Sequence, residues 1–426
     1  MIARRIVYMG LVSAGIFASG GLQGQTIFDM DDVRLKPGEY AKPDKQKAPV
    51  GTIAPADGKF GKAYKLSFVE GAKGFMTGSV RATPEWDAAA GFSFWVKGDG
   101  SSNWGGIELI DRSDFALRYA VCFPIDSTEW RQIFVPWKDV IPELASPLVD
   151  AKNGYAPSHF GSLSFGKWWY WSVYPAHSYV IDQVQLEKEI QIDKTDYTPV
   201  ASGTPRLLAK LKEKKPVMIV TMGDSLSDKR HWANKDKLWS EVLSKMIQDK
   251  DGSTVKLVNP AIGGTTLSQN CVLLPRWLKD APAPDLVTIC FGFNDWDTQV
   301  RGTQFKEYLR WAVDKIRRET QGKTEILLLT TCPAFGRWHT MDEMADAVRS
   351  VAVEKKTGLA DVAAAFHKAG DAEAAKAQGF WARDDVHLGS KGHDVIAGTV
   401  YEAIHTQGLS PISTAKDQPA PSPTVK

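Results

Sequence analysis

The chain has 426 residues, 43% hydrophobic and 24% charged, an ordinary globular composition with room for two domains. A formal net charge of +2 argues against a strongly basic surface for nucleic acid or an anionic membrane. Four cysteines are too few for a disulfide framework, and no Cys/His cluster has zinc spacing.

Residues 1–24 read as a secretory signal peptide. Arg4 and Arg5 form a basic start, Ile6 to Phe17 an apolar run, and Ala18-Ser19-Gly20 a small-x-small cleavage signature. The run is short for a membrane span, and an uncleaved anchor is the alternative. No later stretch is apolar enough to cross a bilayer. The chain is therefore expected to be secreted or periplasmic, with no membrane insertion once the signal is removed.

Residues 27–190 have the texture of an all-β domain. Short alternating runs recur at 63–68, 91–96, 107–110, 116–121, 131–135 and 179–184, each bounded by Gly, Pro, Asp or Ser. That spacing predicts a β-sandwich of roughly eight or nine strands. Trp95 and Trp137 hold strand-alternating positions and are expected in the core. The consecutive aromatics Trp168-Trp169-Tyr170-Trp171 differ, because neighbours on a strand face opposite sides and some must meet solvent or an interface. A strand closing in Val135-Pro136-Trp137-Lys138-Asp139 resembles the jelly-roll, galactose-binding-like sandwiches that accompany carbohydrate-active enzymes. The resemblance implies a sugar-binding accessory module, or else a brace for the rest of the chain.

Residues 191–216 are the expected linker. Thr198-Pro199 and Ala201-Ser202-Gly203-Thr204-Pro205 break regular structure, and residues 207–211 offer one short amphipathic helix. Over residues 217–409 strands and helices alternate. A buried strand at 217–221 precedes helically spaced Trp239, Val242, Leu243 and Met246. Strands follow at 255–258, 286–291 and 326–329, with helices around 305–316, 341–353 and 395–404. Such alternation predicts a three-layer α/β domain with a parallel sheet covered on both faces. Residues 410–426, rich in Pro, Ser and Thr, read as a disordered tail. Cys290 and Cys332 look buried, Cys271 is expected to be the most exposed, and a bridge among these three stays open.

Four stretches of the back half fall at strand ends, where open α/β sheets bind their ligands. Met222-Gly223-Asp224-Ser225-Leu226-Ser227 puts a serine just after a glycine turn. Alone, that serine is as good a helix N-cap as a nucleophile. Gly263-Gly264 leave backbone N–H groups open to approach. Asn294, in Gly292-Phe293-Asn294-Asp295, can offer an amide N–H to a developing oxyanion. Asp384-Asp385-Val386-His387 sets an acid three residues before a histidine. There a carboxylate can hold one ring nitrogen while the other takes a proton. His393 is expected on the surface of the next helix, and His339 and His367 follow no acid at that spacing.

In that order, the Gly-Asp-Ser-Leu run, Gly264, Asn294 and Asp384-x-x-His387 resemble the SGNH hydrolases, the GDSL esterases and lipases. The resemblance covers the back half and implies a flavodoxin-like sheet. It implies Ser225 as nucleophile, His387 as general base and then acid, and Asp384 as the residue orienting His387. It further implies an oxyanion hole of the Ser225 N–H, the Gly264 N–H and the Asn294 amide, with no metal or cofactor needed. Asp385 stands where many members carry Gly. It is a candidate substrate contact, as are Trp232, Trp296 and Trp338, and the choice between the two aspartates rests on the family's spacing. The expected reaction is removal of O-acetyl groups from a polysaccharide or oligosaccharide, given the export signal and the sugar-type sandwich. The alternatives are a lipase or short-chain esterase, a sugar O-acetyltransferase, and a carbohydrate-binding protein with an inactive hydrolase domain. An acetylated glycan is the expected partner, nucleic acid is not, and oligomeric state is left open.

Overall fold

The computed structural model describes residues 26–28, 35–72, 74–114, 117–144, 156–167 and 175–406. The signal-like stretch 1–24, the aromatic cluster 168–171 and the tail 410–426 lie outside them.

Two six-stranded antiparallel sheets face each other in the N-terminal half. The first has Arg131–Pro136, Gly91–Gly98, His177–Glu187, Lys62–Phe68 and Gly51–Asp57 in that order, with Thr26–Phe28 also paired to His177–Glu187. The second runs Ile141–Leu144, Arg118–Pro124, Trp104–Asp111, Phe160–Lys167, Gly74–Ser79 and Lys36–Pro37. There are more strands than the alternating runs predict, because pieces as short as Lys36–Pro37 carry no alternation to read.

Period-two geometry sorts the side chains. Phe92, Phe94 and Val96 fill the space between the sheets. Trp95, expected beside them, is instead half-buried on the opposite face, where Phe60 meets it edge-on at 5.8 Å. Trp137 does pack against the core, with Trp86 and Phe92.

The C-terminal half holds a five-stranded parallel sheet. Its order is Val255–Val258, Val217–Gly223, Leu286–Cys290, Glu325–Leu329 and Gly358–Ala360. In chain order the first strand thus lies between the second and third, the flavodoxin-like arrangement, with its switch point between the first and third strands. Successive residues again face opposite ways. Val217, Ile219, Leu286, Leu327 and Leu329 meet helices Pro205–Lys212, Trp239–Asp251, Val362–His367 and Ser390–His405. Val220, Met222, Val287, Ile289, Ile326 and Leu328 meet helices Leu267–Val272, Gly302–Glu319 and Asp342–Glu354. This is the expected three-layer domain.

Two burial expectations are corrected. His393 is only 1% exposed, and its Nδ1 accepts a hydrogen bond from the Trp239 backbone N–H at 3.2 Å. Cys271 is fully buried, because Leu267–Val272 is wedged between the parallel sheet and the sandwich. All four cysteines are unpaired.

The two halves share a core. Trp104, Ala120 and Ile141, from the outer face of the second sandwich sheet, join the cluster containing Leu267, Cys271 and Trp277. Polar ties rim the contact. Cys122 Sγ donates to the Val272 carbonyl at 3.0 Å, and Trp311 Nε1 donates to the Lys138 carbonyl at 2.9 Å. Arg318 donates to both Asp139 oxygens at 2.8 and 2.9 Å. No helix among the described residues is long and apolar enough to cross a membrane.

Candidate active site

Strand Val217–Gly223 ends in a turn that leaves no room for a side chain at Gly223. A Cβ there stands 2.5 Å from Ser227 Oγ. The turn is tightly tied. Ser227 and Asp228 backbone N–H groups donate to the Asp224 carbonyl at 3.0 and 2.9 Å. Asn234 Nδ2 donates to the Ser225 and Asp228 carbonyls, each at 2.7 Å. Nothing in the sequence marks Asn234, which is fully buried and seven residues beyond the motif.

At this switch point His387 Nε2 lies 2.9 Å from Ser225 Oγ, and His387 Nδ1 lies 2.6 Å from Asp384 Oδ2. Asp384 Oδ1 also accepts from the Val386 and His387 backbone N–H groups at 3.2 and 3.0 Å. An imidazole whose Nδ1–H donates to a carboxylate presents a bare Nε2 to the hydroxyl. Burial pushes the Asp384 carboxyl up, but the hydrogen bonds from His387 and the two backbone N–H groups outweigh it and hold the acid below the ordinary range. Asp385 turns elsewhere. Its backbone is left-handed, with φ of 59°, and its carboxylate pairs with Lys376 at 2.6 Å.

The second and third motif stretches close on the same point. A Cβ on Gly263 lies 3.4 Å from the Ser225 Cβ. The backbone N–H groups of Ser225 and Gly264 donate to no acceptor among the described residues. Asn294 Nδ2 donates to the Thr265 carbonyl at 3.0 Å, with Asp224 Oδ2 at 3.5 Å, which holds the amide beside the Gly264 loop. Asp295 ties the two loops together by accepting from the Leu267 N–H at 3.0 Å. Burial pushes the Asp224 and Asp295 carboxyls up to about 7.

The three candidate tryptophans part company. Trp232 is 41% exposed and stands edge-to-face with His387, ring centres 5.9 Å apart. Trp296 has the guanidiniums of Arg301 and Arg337 at 4.8 and 4.7 Å from its ring, so its faces are occupied. Trp338 packs between His367 and Trp381, ring centres at 4.8 and 5.7 Å. His231 stacks on His387 with ring centres 4.0 Å apart. Burial, and then the neighbouring His387 charge, hold His231 below the ordinary histidine range. Elsewhere, His339, Asp342 and His367 bring three possible metal donors within 4.8 Å of one another, and none of them bonds to the groups around Ser225.

A serine, a histidine and an acid in relay, with unengaged donors beside the serine, can carry acyl transfer. Residues 221–395 match the GDSL-like lipase/acylhydrolase family. The C-terminal half is a GDSL-like acylhydrolase domain. Residues 22–153 match the carbohydrate binding domain of family 11, so the GDSL domain follows a sandwich of that kind. Among solved structures the chain is similar to a lipase/acylhydrolase from Enterococcus faecalis, 21% identical over 44% of this chain and 95% of that one, TM-score 0.37. It is similar to the family 11 carbohydrate-binding module of Clostridium thermocellum, 17% identical over 40% of this chain and 99% of that one, TM-score 0.31. It is also similar to a Bacillus subtilis protein, 15% identical over 85% of this chain and 89% of that one, TM-score 0.37. No curated protein matches the chain.

Proposed function

We propose that this protein is an exported serine esterase that removes O-acetyl groups from a polysaccharide or oligosaccharide. The observation that carries the reading is the relay Ser225 Oγ, His387 Nε2 at 2.9 Å, and Asp384 on the far ring nitrogen at 2.6 Å. Ser225 Oγ attacks the acetyl carbonyl carbon as its proton passes to His387 Nε2. Asp384 keeps the ring in the right tautomer and offsets the imidazolium charge. The carbonyl oxygen becomes an oxyanion held by the Ser225 N–H, the Gly264 N–H and the Asn294 amide, each donor contributing about 2.7–4 kcal/mol. The bond to the sugar oxygen breaks, and His387 returns the proton to that oxygen. Water then attacks the acetyl-serine by the same relay and acetate leaves.

The glycan part of the reading is supported by the family 11 match of the sandwich and by the exposed indole of Trp232 beside His387. Gly263, whose added Cβ would stand 3.4 Å from the Ser225 Cβ, puts no side chain beside the nucleophile, which suits a two-carbon acyl group. Export rests on the basic-apolar-small pattern of residues 1–24. Acetate release from a panel of acetylated plant, algal and host glycans tests the reading, with Ser225→Ala as control. We expect release from at least one glycan and a loss of at least about 10³-fold in the variant. Undiminished release by the variant, or cleavage of long-chain esters alone, overturns it.

A further inference from the structure

Arg383 stands out among the cations of the GDSL domain. Arg230, Arg301, Arg310, Arg318, Arg337 and Arg349 each pair with a carboxylate. Arg383 is exposed and has no acidic partner among the described residues, although Asp384 and Asp385 follow it directly in the chain. Both acids are committed elsewhere, Asp384 to His387 and Asp385 to Lys376. What Arg383 does touch is Trp232, its guanidinium carbon 4.7 Å from the ring centre. Trp232 is in turn the exposed aromatic of this domain among the described residues.

The position of this pair identifies which part of a substrate it faces. The oxyanion donors cradle the acyl oxygen on the side of Gly264 and Asn294. His387 returns the proton to the departing sugar oxygen, so groups packed on His387 flank the departing sugar. Those groups are His231, stacked at 4.0 Å, and Trp232, edge-to-face at 5.9 Å. His231 Nδ1 accepts from the Ala233 N–H at 3.4 Å, which leaves its ring proton on Nε2 as one more donor on this wall. An indole offers a π face to the apolar C–H groups of a pyranose. A guanidinium laid against an aromatic ring is weakly hydrated and presents a planar fork of N–H groups that matches a carboxylate.

We propose that Trp232 and Arg383 form a subsite for an anionic sugar, a uronic acid whose carboxylate meets the Arg383 fork while its ring lies along Trp232. The proposal rests on the esterase reading above and narrows its substrate class to acetylated acidic glycans. A sulfated sugar carries the same charge on a tetrahedral group, and the test separates the two.

The experiment compares kcat/KM for acetate release from an acetylated uronate-bearing polysaccharide with that from the same polymer after its carboxyl groups are reduced to alcohols. An acetylated sulfated galactan is the third substrate. The full chain is expected to favour the uronate polymer about tenfold, the scale of one charge-assisted hydrogen bond. Raising the salt concentration should erode that preference. Arg383→Ala should abolish it, mainly through KM, and Arg383→Lys should keep part of it. An equal preference in Arg383→Ala and the parent overturns the subsite, and a stronger preference for the sulfated galactan overturns the carboxylate assignment. If no glycan is cleaved while p-nitrophenyl acetate is, the glycan reading itself falls. The subsite is then judged by calorimetric titration of Ser225→Ala with uronate oligosaccharides, where binding lost on adding Arg383→Ala upholds it and binding unaffected by that change overturns it.

Discussion

Asp384 and Asp385 show how a single backbone angle assigns a role. The two acids are neighbours of equal charge and equal size. The left-handed φ of 59° at Asp385 directs its carboxylate to Lys376 and leaves Asp384 to meet His387 Nδ1. Asp384→Asn keeps the shape and loses the charge, and it favours the wrong imidazole tautomer. Steady-state kinetics on a short acyl ester should show kcat lowered about 10⁴-fold. Asp385→Asn breaks only an exposed ion pair and should leave kcat within about fivefold. Comparable losses in the two variants are the result that sinks this division of labour. On the proposed reading Asn294 supplies the third oxyanion donor, so in the same assay Asn294→Ala should show a cost of about 2.7–4 kcal/mol in the barrier with little change in KM.

Among the secondary elements, the junction between strand Leu286–Cys290 and helix Phe293–Asp297 leaves no room for a side chain. Gly292 has φ of 134°, and a Cβ there sits 2.0 Å from Thr331 Oγ1. Gly292→Ala is expected to lose at least about 2 kcal/mol in urea unfolding, from strain and overpacking together. Helix Ser390–His405 carries a pH-dependent term. Burial pushes the His393 imidazole down to about 4, so between roughly pH 6.5 and pH 4 the unfolded chain takes up a proton that the folded chain refuses. Stability contributed by this site is full above that window and declines as pH falls through it. His393→Gln should therefore flatten the acid side of a plot of melting temperature against pH. An unchanged slope speaks against a neutral, buried His393.

Across the whole molecule, the sandwich and the GDSL domain behave as one packed unit. Helix Leu267–Val272 follows the Gly264 loop and rests against Trp104, Ala120 and Ile141. Arg318 and Asp139 clamp the same contact further along. Trp104→Ala should cost about 3–5 kcal/mol. Tryptophan fluorescence and far-ultraviolet circular dichroism should then report one coincident unfolding transition in the parent chain. Two separated transitions contradict a cooperative shared core.

The sandwich and the alternating α/β half were legible from local pattern, because a two-residue or helical period is written in neighbouring residues. Gly223, Ser225, Gly264 and Asn294 were visible for the same reason, each in a short run after an apolar stretch, and His387 was visible through the acid three residues before it. Period alone misplaced Trp95 and His393, since it says that faces differ and not which face another element will cover. Asn234 and Arg383 carried no local signal at all, and the choice between Asp384 and Asp385 lay in one dihedral angle. The sequence by itself determined the two-domain plan and the residue types available for acyl transfer. Tertiary structure alone decided that residues 225 and 387 lie 2.9 Å apart and that the sandwich seats the Leu267–Val272 helix, because burial and contact depend on packing between elements remote along the chain.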